Sequence, residues 1–405
     1  MTPPAPRLVP RLGRNVLVLA AVSFLTDASS EIIYPLLPIF LTTVLGAGAA
    51  AVGAIEGAAE TTSALLKLAS GWWSDRLSRR KPLVVAGYAI ASLARPLVAI
   101  AQSAAQVLVI RLTDRVGKGI RGAPRDALIA ESVDPSIRGR AFGFHRASDH
   151  AGAVVGPLIA FALLSWERVD LRTVFLIAAI PGLLSVVVLI VGVREVPRAM
   201  PAPDVLENTS TARLERTGLG QRFWVFLAAV FVFTLGNSTD AFLILRANQL
   251  GVPVAMVPVL WAALHVVKSA SSMPGGVLSD RVGRKPLILA GWATYAAVYL
   301  AFGQATQAWH AWALFLAYGV FFGLTEGTER AMVADLVGRE HRGTAFGWYN
   351  LAIGIGALPA SLLFGLVWDR FGPARAFAMG AALAFAAAMV LLMVAAPARQ
   401  PPEPA

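Results

Sequence analysis

The feature that most constrains this chain is a series of long apolar runs separated by short polar gaps. A helix that crosses a bilayer needs ~20 mainly apolar residues, because the hydrocarbon core is about 30 Å thick and each residue adds about 1.5 Å. Runs that meet this requirement lie at 15–44, 47–70, 82–102, 105–131, 140–165, 172–194, 221–249, 254–277, 286–306, 309–336, 344–367 and 373–396. Several exceed the minimum, an excess that tilt or kinks at Pro35, Pro38, Pro157 and Pro359 would absorb. Composition agrees: 57% of residues are apolar and 15% charged, where a soluble domain carries about 25% charge. The expected fold is an all-α membrane protein of twelve transmembrane helices. Residues 1–194 form an N-terminal six-helix bundle, 195–220 a polar linker, and 221–405 a C-terminal six-helix bundle.

The net charge of +11 would suit a nucleic-acid partner. Its distribution does not: the basic residues sit in gaps between apolar runs, with no aromatic-interleaved stripe, so no nucleic acid is expected. Loop charge sets the orientation instead. With the N-terminus inside, the inner segments hold Arg76, Arg79, Arg80, Lys81, Arg138, Arg140, Arg281, Arg284, Lys285, Arg339 and Arg342, among others. The outer loops hold Arg168, Arg172, Arg370 and Arg375. Both termini are therefore expected in the cytoplasm, in a multi-pass protein of the cell membrane, with a bacterial inner membrane as the expected setting. The basic segment before the first run lacks a small-residue cleavage site, so that run is expected to be retained and not removed as a signal peptide. Cysteine is absent and the five histidines lack metal-ligand spacing, so neither a metal site nor a cofactor is expected.

The halves repeat each other at an offset near 204 residues. Ser74-Asp75-Arg76-Leu77-Ser78-Arg79-Arg80-Lys81-Pro82-Leu83 returns as Ser279-Asp280-Arg281-Val282-Gly283-Arg284-Lys285-Pro286-Leu287. Ala127-Leu128-Ile129-Ala130-Glu131 returns as Ala331-Met332-Val333-Ala334-Asp335, and Arg138-Gly139-Arg140-Ala141-Phe142-Gly143 as Arg342-Gly343-Thr344-Ala345-Phe346-Gly347. Two parallel repeats suggest a binding site at their interface near the midplane, opened alternately to either side.

With Gly71-Trp72-Trp73 ahead of it, the first of these loops resembles the G-x-x-x-D-R-x-G-R-R/K signature of the major facilitator superfamily, with Ser78 where glycine is usual. The second copy, from Gly276 to Lys285, fits without departure. The resemblance covers the whole transmembrane chain and implies two pseudo-symmetric bundles. It also implies secondary transport of a small molecule and no enzymatic activity. Gly152-Ala153-Val154-Val155-Gly156-Pro157 looks like the core of the antiporter motif of drug:proton exporters, although Leu158-Ile159-Ala160-Phe161 follow where small residues are usual. Arg115-Val116-Gly117-Lys118-Gly119 resembles the R-x-x-Q-G motif of the same branch, with lysine for glutamine, and Asp27 followed by Leu37-Pro38 resembles its first-helix motif.

The loop signature reads physically as a gate formed by Asp75, Arg76, Arg79, Asp280, Arg281 and Arg284. Its aspartates can face the positive end of a neighbouring helix and its arginines can pair across the seam between halves. The same residues also serve the positive-inside rule, and for the arginines the two readings weigh equally. In Gly152, Gly156 and Pro157, close helix packing competes with the antiporter reading.

Ionisable residues inside a span are costly and tend to face a cavity or each other. On the fourth run Arg111, Asp114, Arg115, Lys118, Arg121, Arg125 and Asp126 share an arc of roughly 140°. Arg111, Arg115, Lys118, Asn237, Asp240, Glu326, Glu329 and Arg330 are the candidate substrate and cavity residues. Asp27, Glu31, Glu56, Glu60 and Asp149 are the candidates for proton coupling. Asp27 and Glu31 are the expected partners of the fourth-run cations, and a structural ion pair is the competing reading for each. In the fold that the resemblance implies, helices one, four, seven and ten line the cavity. Their charges balance if Arg246 is counted with the cations.

The function expected is proton-coupled export of a small organic or amphiphilic compound, by a monomer in lipid, with protons and a small-molecule substrate as its other partners. Import or exchange of an organic anion or metal chelate is the alternative, and a non-transporting sensor the third reading. Gly117-Lys118-Gly119-Ile120-Arg121-Gly122 spells G-x-G-x-x-G, but a dinucleotide site needs a preceding strand that a spanning helix cannot supply.

Overall fold

The computed structural model describes residues 12–76, 79–133, 138–166, 169–195, 219–338 and 341–393, and all their regular structure is helical. In chain order the helical segments are α1 (Arg14–Val44), α2 (Ala49–Arg76), α3 (Lys81–Ile100), α4 (Ala104–Glu131), α5 (Arg138–Leu164) and α6 (Leu171–Gly192). They continue as α7 (Gly220–Gln249), α8 (Val254–Val282), α9 (Arg284–Gln304), α10 (Ala308–Leu336), α11 (Arg342–Phe371) and α12 (Pro373–Leu392). Among the described residues, ten helices are long and apolar enough to cross a membrane. The expected twelve fall to ten by this measure because α2 and α4, at 28 residues each, match the rest in length but carry the charged stripes.

Backbone chemistry explains the irregularities. Around Pro35 and Pro38, α1 tightens to a 3-10 turn at Tyr34–Leu36 and then widens to a π turn at Phe40–Val44, as expected where proline removes N–H donors. Pro157 and Pro359 instead sit inside unbroken helices. Helix α7 opens at residues 237–239 and restarts at Ala241. Ahead of α6, Asp170 accepts the Thr173 N–H at 2.9 Å. Hydrogen bonds from Thr173 hold its carboxyl below the usual carboxylate range. The stabilisation this cap lends α6 is present above that range and is lost as pH falls through the lowered value.

Glycines set how closely α4 approaches its neighbours. A Cβ on Gly117 would lie 2.5 Å from the Gly87 carbonyl of α3, and one on Gly119 would lie 2.5 Å from the Leu66 side chain of α2. The G-x-G-x-x-G string thus wedges α4 between α2 and α3, on a helix.

The two halves meet along α2 with α11 and along α5 with α8. The α2–α11 seam starts at the end remote from the basic loops. There the Asp369 carboxylate of α11 accepts the backbone N–H groups of Ala49 at 2.9 Å and Ala50 at 2.8 Å. This caps α2 from the opposite half, where a carboxylate also meets the positive end of the helix dipole. Close packing continues inward. Cβ atoms on Gly53 and Gly57 would lie 2.1 Å from the Ser361 carbonyl and 2.8 Å from the Leu358 Cα. The Thr61 hydroxyl donates to the Gly354 carbonyl at 2.6 Å.

Toward the basic loops the packing loosens. Cβ atoms on Gly276, Gly327 and Gly347 would meet nothing within 4 Å, and Lys67, Arg146, Glu326 and Arg330 are exposed. At this end Arg284 reaches Asp280 and Asp335 within its own half, and the Glu195 carboxylate accepts the N–H groups of Arg80 and Lys81. Among the described residues, the halves pack closely at the far end and more loosely at the basic end.

Candidate functional site

The charged stripe of α4 meets carboxylates from α2, not α1. Arg111 holds Glu56 with two bonds, Nε to Oε1 at 3.0 Å and Nη2 to Oε2 at 2.6 Å, and both side chains are buried. Its Nη1 lies 3.6 Å from Asp114, whose other oxygen accepts Arg95 Nε at 2.7 Å. Arg95 also donates to the Thr26 carbonyl of α1 at 3.1 Å. The result is a buried chain of alternating charge, Glu56–Arg111–Asp114–Arg95, joining α2, α4 and α3. One turn further along, Arg115 and Glu60 approach only to 4.0 Å, and Lys118 has no hydrogen bond or ion pair among the described residues. Arg121 lies over the Tyr88 ring at 4.0 Å, and Arg125 bonds its neighbour Asp126 at 2.9 Å.

In place of the expected pairing with the α4 cations, Glu31 takes a partner from the other half and the Asp27 carboxylate takes none among the described residues. Glu31 accepts the indole N–H of Trp261 at 2.8 Å, a bond between halves, and Trp261 stacks at a tilt on Tyr34 with centroids 5.1 Å apart. The Asp27 carboxylate accepts no hydrogen bond among the described residues, its backbone carbonyl taking the Ser30 hydroxyl, and it is only partly buried, with Lys118 and Arg121 the cations that act on it. Geometry explains the exchange. The glycine contacts pull α4 toward α2 and α3, so its arginines reach α2 before α1.

The antiporter-like glycines border Asp27. A Cβ on Gly152 would fall 2.4 Å from the Phe24 carbonyl and 3.1 Å from Asp27 Cβ, and one on Gly156 would fall 2.5 Å from the Ala28 carbonyl. Residues larger than glycine would push α5 off α1 at the level of that carboxylate. Pro157 follows within the same helix. Asp149, a turn away, is occupied by the Ser23 hydroxyl, by Arg146 at 3.3 Å and by His145 at 3.6 Å.

In the second half, Glu326 draws Lys268 to 3.4 Å and Arg330 to 3.8 Å, and it keeps 46% of its side chain exposed. Glu329 is buried and fully used: Trp292 Nε1 donates to it at 2.9 Å and the Tyr349 hydroxyl at 2.8 Å. Asp240 accepts the Tyr318 hydroxyl at 2.7 Å, and Asn237 lies in the break of α7. Arg246, counted with the cavity cations, instead donates to the Phe302 and Ala305 carbonyls at the end of α9.

Of the gate residues, the side chains of Asp75 and Arg76 lie outside the described residues, and Arg79 and Arg281 are exposed. Arg284 binds Asp280 at 2.5 Å and Asp335 at 3.2 Å inside its own half.

Sequence reasoning passed over Arg95, Trp261 and Asp369. Arg95 had a signal, since a lone charge in the run 82–102 demands a buried partner.

Comparison with known proteins agrees with this architecture. The chain matches the family described as Major Facilitator Superfamily over residues 19–357 and 242–405. It is 34% identical over 389 residues to an MFS-type transporter of Methanocaldococcus jannaschii, itself uncharacterized, covering 95% of each chain. It is 29% identical over 296 residues to the multidrug resistance protein MdtG of Serratia proteamaculans, covering 71% of this chain and 70% of that one. The crystal structure of the nucleoside transporter NupG superposes with a TM-score of 0.78 at 13% identity, over 94% of this chain and 98% of that one, which is a likeness of fold. A family match across the chain, a full-length relative and a shared helical fold together make this a multi-pass membrane transporter of small molecules, not an enzyme, and a member of the major facilitator superfamily.

Proposed function

We propose that this transporter exports a small organic or amphiphilic compound against a proton flux, by alternating access. The chain crosses the membrane twelve times, α2 and α4 included, as bundles 1–194 and 221–405 joined by the linker 195–220. Both termini and the basic end lie on the cytoplasmic side of a bacterial inner membrane, so the more loosely packed end faces inward. The protein acts as a monomer surrounded by lipid.

The observation that carries the coupling is Asp27. It is a carboxylate without a hydrogen-bond donor, packed against the glycine face of α5 and near Lys118. A carboxylate's hold on a proton depends on its burial and on the distance to nearby cations. Both change when α1 and α4 reorient, so one group can take a proton on one side and release it on the other. Asp149, Glu31 and Glu56 each accept from named donors and serve the scaffold. Export is supported by the multidrug resistance relative. Import or exchange of an organic anion or metal chelate is the second reading, favoured by Arg115 and Lys118, whose side chains make no hydrogen bond among the described residues.

Reconstituted vesicles test both readings. A panel of labelled organic solutes should move in the direction opposite to an imposed proton gradient, and the net flux should collapse when an ionophore dissipates that gradient. Flux that ignores the gradient contradicts the coupling, and flux in the same direction as the protons contradicts export.

A further inference from the structure

The cations around the cavity divide into those already engaged and those left over. Arg111 holds Glu56, Arg95 holds Asp114, Arg121 lies over the Tyr88 ring though its Nη1 is buried without a hydrogen bond, Arg125 binds Asp126, and Lys268 meets Glu326 while lying 4.0 Å from the centre of the Phe322 ring. Arg115 and Lys118 are different. No donor of Arg115 reaches an acceptor among the described residues, and its Nε is buried with no partner. The nearest carboxylate oxygen, on Glu60, is 4.0 Å away, beyond hydrogen-bond range. Lys118 lies three residues further along the same face, among Arg115, Glu60, Lys67 and Asp27, and bonds none of them.

These two side chains offer donors and net positive charge where water is scarce, since only 11% of the Arg115 side chain is exposed. Unmatched cations at such a depth are costly, and an acceptor that arrives with its own negative charge removes the cost. Glu60 already stands near that position without filling it. Its side chain is 55% exposed, whereas Glu56, one turn away, is locked to Arg111.

We infer that Arg115 and Lys118 bind the anionic head of the transported compound, and that Glu60 is the placeholder this head displaces. The inference rests on the export reading above and names its cargo as a small organic anion with one carboxylate-like head. The displaced Glu60 side chain, already 55% exposed, turns toward water, so Arg115 and Lys118 face one carboxylate in both the empty and the loaded state. A cationic compound would place a further positive charge beside Arg115, Lys118 and Lys67.

Three compounds that share one body and differ in head charge test this: 1-naphthylacetate, 1-naphthylethanol and 1-naphthylethylamine. Equilibrium dialysis against the purified full chain in detergent, read by naphthyl fluorescence, gives their affinities. The carboxylate should bind at least about tenfold more tightly than the alcohol, as expected for charge-assisted hydrogen bonds, and the amine no better than the alcohol. Arg115→Ala should bring the carboxylate down to the alcohol, and Lys118→Ala should weaken it severalfold. Glu60→Gln should strengthen carboxylate binding, because the competitor has gone.

A wild-type protein that binds the carboxylate no more tightly than the other two overturns the inference. So does a Glu60→Gln variant that binds it more weakly. If Arg115→Ala does not fold, Lys118→Ala and Glu60→Gln decide. Binding is measured without a gradient, so this site and the coupling fail separately. Carboxylate binding with gradient-indifferent flux leaves the site standing and removes the coupling, while gradient-driven export of amines does the reverse.

Discussion

Arg111→Leu alone should leave little folded protein, and Arg111→Leu combined with Glu56→Leu should restore it. In the single variant the Glu56 carboxylate is left with no donor at a position only 6% exposed. Removing one partner of a buried pair typically costs about 3–5 kcal/mol, because the other charge stays behind unpaired. Asp114 keeps Arg95 and is less affected. Replacing both partners by apolar side chains removes both desolvation penalties, and such swaps are often neutral. Thermal unfolding followed by size-exclusion chromatography reads this directly: a low midpoint for the single variant and a midpoint near wild type for the double. A single variant as stable as wild type, or a double variant no better than the single, would show that the pair does not hold α2 to α4. The same pair of variants separates Arg111 from Arg115. The restored double should transport, whereas Arg115→Ala should fold and fail.

The second large effect is expected at Asp27. Asp27→Asn keeps the side chain's shape and removes its ionisation, so gradient-driven flux should fall to the rate seen with no gradient. Exchange of labelled for unlabelled solute, which needs no net proton movement, should continue. Asp149→Asn should act differently. Its carboxylate accepts from Ser23 and Arg146, so losing the charge weakens the α1–α5 contact and lowers stability more than coupling. Driven flux through Asp27→Asn equal to wild type would remove Asp27 from the coupling step.

The sequence made the fold legible because the bilayer imposes a length and a period that residues display openly. The duplicated Ser-Asp-Arg loops marked the two halves, and the apolar runs placed the helices to within a few residues. The exceptions are instructive: α2 and α4 fall short in apolarity because they carry the charges that meet each other in the interior. The site was legible by residue type and not by partner. Periodicity shows that Arg111, Arg115 and Lys118 share a face, but not which helix that face meets. That choice depends on Gly87, Gly117 and Gly119, whose missing side chains let α3 and α2 close on α4. Arg246 looked like a cavity cation because its use, capping the carbonyls at the end of α9, leaves no local signature. Asp369 was hidden for a related reason: its ligands are backbone N–H groups more than three hundred residues away.

Alternating closure of the two ends is tested most directly by paired distances. The chain has no cysteine, so labels can be introduced singly and without background. Val44→Cys with Phe371→Cys reports the far end, and Arg79→Cys with Arg281→Cys reports the basic end. Without other changes, the far-end pair should give a short, narrow distribution and the basic-end pair a long one. Adding Asp369→Ala removes the cap on α2, so the far-end distance should lengthen while the basic-end distance shortens. Ends that open together, or distances that do not respond to the loss of Asp369, would contradict alternating access about this seam.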